Sequence, residues 1–187
     1  MKRLLPFLLV LTTCIVSADV TGRVTLANGK PAKLAVVFLE GGGAKPKPVQ
    51  NAMIDQRGKK FLPHVIAVPV GTTVQFPNND LVFHNVFAEY NAKRFDLGMY
   101  PRGATRKQTF PKPGLVALFC SVHSDMSAFI MVVDTPYYTV ADSSGHFDIK
   151  NVPAGTYKLK VWHESGELSE QTITISSNES LDLHTKR

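Results

Sequence analysis

The chain has 187 residues, of which 44% are hydrophobic, 19% charged and 9% aromatic, and its formal net charge at pH 7 is +6. This ordinary globular composition excludes a wholly disordered chain, a collagen and a protein with many membrane spans. The 13 glycines and 12 prolines separate short apolar segments, which argues against a long helical bundle.

Residues 1–18 have the layout of a secretory signal peptide. Lys2 and Arg3 give a basic start, residues 4–16 are almost wholly apolar, and small residues follow. The apolar run is short for a bilayer span, so a permanent anchor is a second choice, and a lipid on the leader's cysteine is a third. We therefore expect cleavage before Asp19 and a periplasmic or secreted protein with no stable membrane span.

The remaining chain predicts short β-strands throughout. Residues 19–40 read as two strands around an Asn-Gly turn, and residues 49–138 hold six or more strand-like runs separated by Pro, Gly and Asn. Within that block, the continuous apolar runs 115–120 and 128–133 predict buried strands. Residues 139–187 alternate apolar and polar side chains in a meander with one apolar face. We therefore expect an all-β fold built from sandwiches.

Charge is distributed unevenly between the central block and the C-terminal segment. Residues 45–138 hold 11 Lys and Arg against 6 Asp and Glu, whereas residues 139–187 hold 5 against 7. The basic block is either an ordinary solvated surface or a face that steers an acidic partner. The sequence has no basic helix and no stripe of alternating aromatic and basic residues, so we expect no nucleic-acid binding.

One short loop carries three soft or borderline metal ligands. Without the leader the chain has a single cysteine, Cys120, which cannot form an internal disulfide. His123 and Met126 follow it with the spacing C-x-x-H-x-x-M, and thiolate, imidazole and thioether together favour copper. His84 is the best candidate for a further imidazole. Each residue alone would more often be structural, and the set in order points to a metal site.

The sequence around these residues resembles the cupredoxins, the small blue copper proteins. The similarity covers about residues 50–135. Upstream, it rests on Phe76, Asn78 and Asp80, which precede the run His84-Asn85-Val86, and downstream it rests on the cysteine loop. The implied fold is a Greek-key β-sandwich.

The resemblance implies a single type 1 copper ion. Its ligands would be the Cys120 thiolate and the imidazoles of His84 and His123 near one plane, with Met126 as a weak axial ligand. Asn85 would hydrogen-bond near the thiolate and tie the two ligand loops together. An apolar collar around the metal has four candidates, which are Phe83, Phe87, Phe119 and Phe129.

The implied function is that of an electron carrier that cycles between Cu(I) and Cu(II) for redox partner proteins, and these would have acidic surfaces if the basic block steers them. Electrons would leave through the imidazole edge of His123. The sequence has no His-x-His motif and no second cysteine in the loop, so an electron carrier fits better than an enzyme. The alternatives are a copper-binding or copper-delivery protein without electron transfer, and a β-sandwich binding module without metal.

The flanking segments resemble a second family, the carboxypeptidase-regulatory-like or transthyretin-like β-sandwiches. Each flank is too short to form a stable sandwich alone. We therefore expect residues 19–44 and 139–187 to form one small discontinuous sandwich. The copper-binding domain, residues 45–138, would be inserted between them, beside or within it.

Overall fold

The computed structural model describes residues 17–90, 93–166 and 168–185. The predicted leader, apart from its last two residues, lies outside these ranges. Within them the chain forms sixteen β-strands, and it has no helix that is long and apolar enough to cross a membrane. The strands are β1 (Ser17–Thr25), β2 (Val36–Gly41), β3 (Asp55–Gln56), β4 (Phe61–Leu62), β5 (Val65–Pro69), β6 (Thr73–Pro77), β7 (Phe87–Tyr90), β8 (Lys93–Asp96), β9 (Thr105–Thr109), β10 (Gly114–Phe119), β11 (Ser127–Val133), β12 (Tyr138–Val140), β13 (His146–Pro153), β14 (Gly155–Trp162), β15 (Ser169–Ile175) and β16 (Glu179–His184). The predicted all-β fold is confirmed.

Both ends of the described chain meet in one sandwich. One sheet has the order β13-β1-β16 and the other has the order β12-β2-β14-β15. Along β14 the side chains of Tyr157, Leu159 and Val161 are buried between the sheets while the intervening lysines face outward, as a two-residue period requires. Val24 belongs to the same core, and Val36 pairs with Trp162 across β2 and β14.

The central part of the chain forms a second sandwich. Its main sheet has the order β5-β11-β10-β7-β8, and the pairs β6-β9 and β3-β4 complete it. The core includes Val74, Phe76, Leu118 and Ile130, all fully buried or nearly so. The boundaries between this unit and its flanks, near residues 44 and 138, stay a prediction.

The strand β11 is buried on both faces, which explains its continuous apolar sequence. Ala128, Ile130 and Val132 point into the central core. Met131 and Val133 point the other way, into a separate cluster shared with the flanking sandwich. The neighbouring strand β10 was predicted to be buried in the same way, and that prediction is wrong. One of its faces is open, and Leu115 and Phe119 are about two-fifths exposed there.

An apolar and partly charged junction joins the two sandwiches. It buries side chains from both: Val36, Phe38, Val65, Met131, Val133 and Trp162. The rings of Phe129 and Trp162 lie 5.2 Å apart across it. At its edge Nε2 of His64 lies 2.6 Å from a carboxylate oxygen of Glu164. The main sheet of the central sandwich is therefore packed against the flanking sandwich.

Candidate metal centre

The segment that leads to His84 is fixed by its own side chains. Asn78 is fully buried, and its amide nitrogen donates to the carbonyl oxygens of Val82 and Tyr100, at 2.9 and 3.0 Å. The backbone N–H of Asp80 donates to Oδ1 of Asn78. Asn78 therefore holds an irregular loop between β6 and β7, although the residues before β7 are mostly apolar. The reason is that hydrogen bonds local to this side chain replace the sheet ladder.

The ring of His84 is oriented by Asp80. Nε2 lies 2.9 Å from Oδ2 of Asp80, and because a carboxylate only accepts, Nε2 donates. Nδ1, on the other side of the ring, lies 3.9 Å from the Sγ atom of Cys120. His84 is fully buried. A metal-ligating imidazole is commonly oriented in this way by a carboxylate on its other nitrogen.

Three donors hold the Asp80 carboxylate in its ionised form. Besides the ring of His84, the backbone N–H groups of Lys59 and Leu81 donate to it at 2.6 and 2.8 Å. The hydrogen bond from His84, more than those from the backbone, lowers the pKa of Asp80 to about 2. The sequence pattern contained Asp80, but its role as the partner of His84 was missed. The signal that could have revealed this role is that Asp80 lies four residues before His84 in the chain.

Cys120 follows the last residue of β10 and is 5% exposed. The antiparallel pairing of β7 with β10 places Phe87 opposite Phe119. Just beyond these strands, Oδ1 of Asn85 accepts hydrogen bonds from the backbone N–H and the hydroxyl of Ser121, at 2.8 and 3.0 Å. Asn85 thus links the two ligand segments, as predicted.

The ring of His123 completes a cluster of three candidate ligands. The thiol of Cys120 and one ring nitrogen each from His84 and His123 all lie within 4.8 Å of one another. The two imidazoles are 4.8 Å apart between ring centres. Nδ1 of His123 is buried and has no hydrogen-bond partner among the described residues. A buried polar atom without a partner is costly, and coordination of a metal would satisfy it.

Met126 lies close to this cluster along the chain. Its side chain is almost fully buried in the same apolar core as Cys120, and its backbone N–H donates to the carbonyl of His123 at 3.0 Å. Its assignment as the axial ligand stays a prediction.

The phenylalanines that were expected to form a collar do not share one apolar environment. Phe83 is 56% exposed and Phe119 is 41% exposed, while Phe129 packs at the junction with Trp162. Cys120 instead belongs to the buried core cluster of the central sandwich, which also contains Val86 and Leu118.

Tyr100 is a residue of this region that sequence reasoning did not single out. Its backbone pairs with that of His84 through two hydrogen bonds, at 2.9 and 3.3 Å. Its hydroxyl donates to the carbonyl of Phe76 at 3.0 Å and also contacts Gln56. Burial raises the pKa of Tyr100 to about 12, so it stays neutral. A tyrosine that precedes a proline gives no sequence signal for this role.

Comparison with known proteins finds similarity of two kinds. A family model described as polysaccharide lyase family 4, domain II, matches residues 114–183, which run from β10 into β16. Among solved structures, the chain is 25% identical to a purple cupredoxin from Nitrosopumilus maritimus, over 44% of this chain and 100% of that one, with a TM-score of 0.41. It is 26% identical to a copper-containing nitrite reductase from Thermus scotoductus SA-01, over 60% of this chain and 28% of that one, with a TM-score of 0.44. It is 19% identical to amicyanin from Paracoccus versutus, over 52% and 97% of the two chains, with a TM-score of 0.43. The carboxypeptidase-regulatory-like assignment of the flanks stays a prediction.

Proposed function

We propose that this protein is an exported type 1 copper protein that carries single electrons between redox partners. The observation that carries the proposal is the cluster of one thiol and two imidazoles, in which Nδ1 of His123 is buried without a partner among the described residues. One thiolate and two imidazoles with a weak thioether are the ligand set that is typical of blue copper sites. Met126 supplies a fourth, weaker ligand in this proposal.

Copper, when bound, would supply two oxidation states, Cu(I) and Cu(II), that differ by one electron. The chain contributes fixed ligand positions. Asp80 holds the ring of His84 from its far side, and Asn85 holds the start of the cysteine loop. Ligands that are held in place by the surrounding structure need little rearrangement when the charge of a bound ion changes. Fast electron exchange is the activity that this preorganisation favours.

Burial of the ligands favours electron transfer over chemistry on a bound substrate. His84 is fully buried and Cys120 nearly so, whereas His123 is half-buried. A partner can therefore reach the cluster from the side of the His123 ring. We propose that this ring is the exit for electrons.

The proposed location is the periplasm or the cell exterior. The support is the basic start and the apolar run of residues 1–18, which have the pattern of a cleaved leader.

The test combines metal analysis with voltammetry of the purified protein. We expect one copper per chain and a reversible one-electron wave. His84→Gln removes both, whereas His146→Gln, a matched change at the exposed start of β13 in the flanking sandwich, changes neither. Copper that binds as Cu(I), exchanges readily and gives no reversible wave would instead indicate a copper-delivery protein. Protein that retains no copper after careful purification would indicate a β-sandwich module without metal.

A further inference from the structure

His64 bridges the two sandwiches at the point where the cysteine loop ends. Its Nδ1 atom lies 3.0 Å from the backbone carbonyl oxygen of Ser127, the first residue of β11. Its Nε2 atom lies 2.6 Å from a carboxylate oxygen of Glu164, in the turn that follows β14. One side chain of the central sandwich therefore contacts the end of the cysteine loop and the flanking sandwich at once. We call His64 and Glu164 the junction clasp.

The two contacts of His64 together require a charged ring. A carbonyl oxygen and a carboxylate accept hydrogen bonds and donate none, whereas a neutral imidazole carries a single N–H. The ring that makes both bonds therefore carries a proton on each nitrogen. Glu164 supplies the opposite charge beside it, and hydrogen bonds between charged groups are the stronger ones. The N–H that reaches Ser127 thus depends on a carboxylate of the flanking sandwich.

On the side of the cysteine loop, the clasp holds the segment that carries Met126. Met126 directly precedes Ser127, its side chain is 1% exposed, and its backbone N–H donates to the carbonyl of His123 at 3.0 Å. The carbonyl of His64 also accepts from the backbone N–H of Phe129 at 2.8 Å, and their two rings meet edge to face. Met126 therefore lies between two fixed points, the turn at His123 and the contact at Ser127.

On the side of the flanking sandwich, the turn that carries Glu164 is itself fixed. The preceding residue, His163, is buried, and its Nε2 atom lies 3.1 Å from the carbonyl oxygen of Lys33. Within the turn, the backbone N–H of Ser165 donates to Nδ1 of His163 at 3.1 Å, and the N–H of Gly166 donates to the carbonyl of His163 at 3.1 Å. Because Nδ1 accepts, Nε2 carries the proton and donates to Lys33. The backbone of Glu164 therefore keeps its place relative to the flanking sandwich.

The clasp is too exposed to contribute much to the stability of the fold. The side chains of His64 and Glu164 are 32% and 42% exposed, and ion pairs in such positions add little to the free energy of unfolding. The junction has an apolar core of its own around Trp162. The place of the clasp, beside the segment with Met126, favours a role in the geometry of the metal centre.

We propose that the flanking sandwich positions Met126 for the bound metal through the junction clasp, with His64 and Glu164 as positioning residues. This proposal rests on the proposed function, and it gives the flanking sandwich a part in that function. A weak axial thioether tunes the potential of a blue copper site, so a small shift of its sulfur changes the relative stability of Cu(I) and Cu(II). Loss of the clasp should therefore alter the metal centre while the fold remains.

The experiment cuts the clasp at either end and at both ends together. In His64→Gln the side-chain amide can take the place of Nε2 beside Glu164, and the contact with Ser127 is lost. Glu164→Ala removes the contact with the flanking sandwich, and the double variant removes both. The control, Glu179→Ala, makes the same change in β16, on the other sheet of the flanking sandwich. All four proteins should keep the wild-type melting temperature to within about 3 °C.

The first measurement is amide hydrogen exchange of the metal-free full chain, followed by NMR at mildly acidic pH, which favours the charged ring. The N–H of Met126 should exchange about 10-fold faster in each single variant than in wild type. The double variant should be no faster than either single variant, because both changes break one link. The control should exchange at the wild-type rate.

The second measurement is the ratio of Cu(I) to Cu(II) in the copper-loaded protein, held in a fixed redox buffer. The ratio should change by about 3-fold or more in the clasp variants and stay within about 1.5-fold of wild type in the control. Faster exchange with an unchanged ratio would overturn the proposal, because the clasp would then be merely structural.

The remaining outcomes separate this proposal from the function on which it rests. If the copper centre forms and neither measurement changes in the clasp variants, the positioning role is wrong and the electron carrier stands. If the effects of the two changes on exchange add up in the double variant, His64 and Glu164 act separately and the clasp is wrong. If the protein binds no copper, the proposed function fails, and exchange at Met126 still decides whether the clasp holds this segment.

Discussion

Substitution of Asn85 by alanine tests how the two ligand segments are held together. Asn85 is 3% exposed, accepts two hydrogen bonds from Ser121 and donates one to Asp96 at 3.2 Å. At a net contribution of about 1 kcal/mol for each bond, Asn85→Ala should lower the free energy of unfolding by about 2–3 kcal/mol. For a chain of this size that corresponds to a fall in melting temperature of about 5–10 °C. Copper affinity should fall by about 10–100-fold, as for other residues that orient metal ligands.

The assay is thermal unfolding followed by circular dichroism, together with copper titration against a competing chelator. Asn79→Ala is the matched control, because Asn79 is an exposed asparagine of the neighbouring loop with one side-chain bond, to Asp55 at 2.8 Å. We expect the control to cost about 1 kcal/mol or less. Equal melting temperatures and equal copper affinities for the two variants would show that Asn85 does not join the segments.

Three further predictions concern the flanking sandwich and the junction. In Gly22→Ala the new Cβ would lie 2.0 Å from the carbonyl oxygen of Leu181, so the free energy of unfolding, measured by chemical denaturation, should fall by about 2–3 kcal/mol. The control is Gly155→Ala, whose new Cβ meets only a side chain, at 3.4 Å, and its stability should stay near that of wild type. Equal stabilities would contradict the close strand approach. Trp162→Ala empties the junction and should cost about 3–5 kcal/mol, and a loss below 1 kcal/mol would show that the sandwiches do not depend on this contact. The Asp142 carboxylate accepts hydrogen bonds from its turn, first of all from the Ser144 hydroxyl, and these lower its pKa. Because the folded pKa lies below the unfolded one, its stabilisation is present above the unfolded pKa and is lost as the pH falls through the folded pKa. Asp142→Asn should therefore lose less stability than wild type on acidification, and parallel pH profiles would contradict this.

The sequence allowed the fold class and the pair Cys120 and His123 to be predicted because those signals are local. Short runs in which apolar and polar residues alternate indicate strands, whatever their pairing partners are. Strand β14 is an example, because its alternating residues are alternately buried and exposed. Cys120 and His123 are three residues apart in one loop, so their proximity needs no tertiary information. His84 lies 36 residues upstream, so it was chosen as the best candidate for a further imidazole, and the resemblance to the cupredoxins then implied that it is a ligand.

What could not be predicted depends on strand register and on which sheet faces are covered. The pairing of Phe87 with Phe119 brings the His84 segment beside the cysteine loop, and nothing in either segment specifies that register alone. The two neighbouring strands β10 and β11 look equally apolar in sequence. Only β11 is covered on both faces, because the flanking sandwich packs against it through Trp162. For the same reason Phe119, which was expected to belong to an apolar collar, is found on an open face.

The absorption spectrum of the Cu(II)-loaded protein tests the central claim most directly. Coordination by the Cys120 thiolate beside two imidazoles predicts an intense blue colour from thiolate-to-copper charge transfer. Cys120→Ser should abolish the colour, whereas Ser124→Ala, an exposed change in the same loop, should leave it unchanged. A copper-loaded protein that is colourless, or a colour that survives Cys120→Ser, would contradict the account.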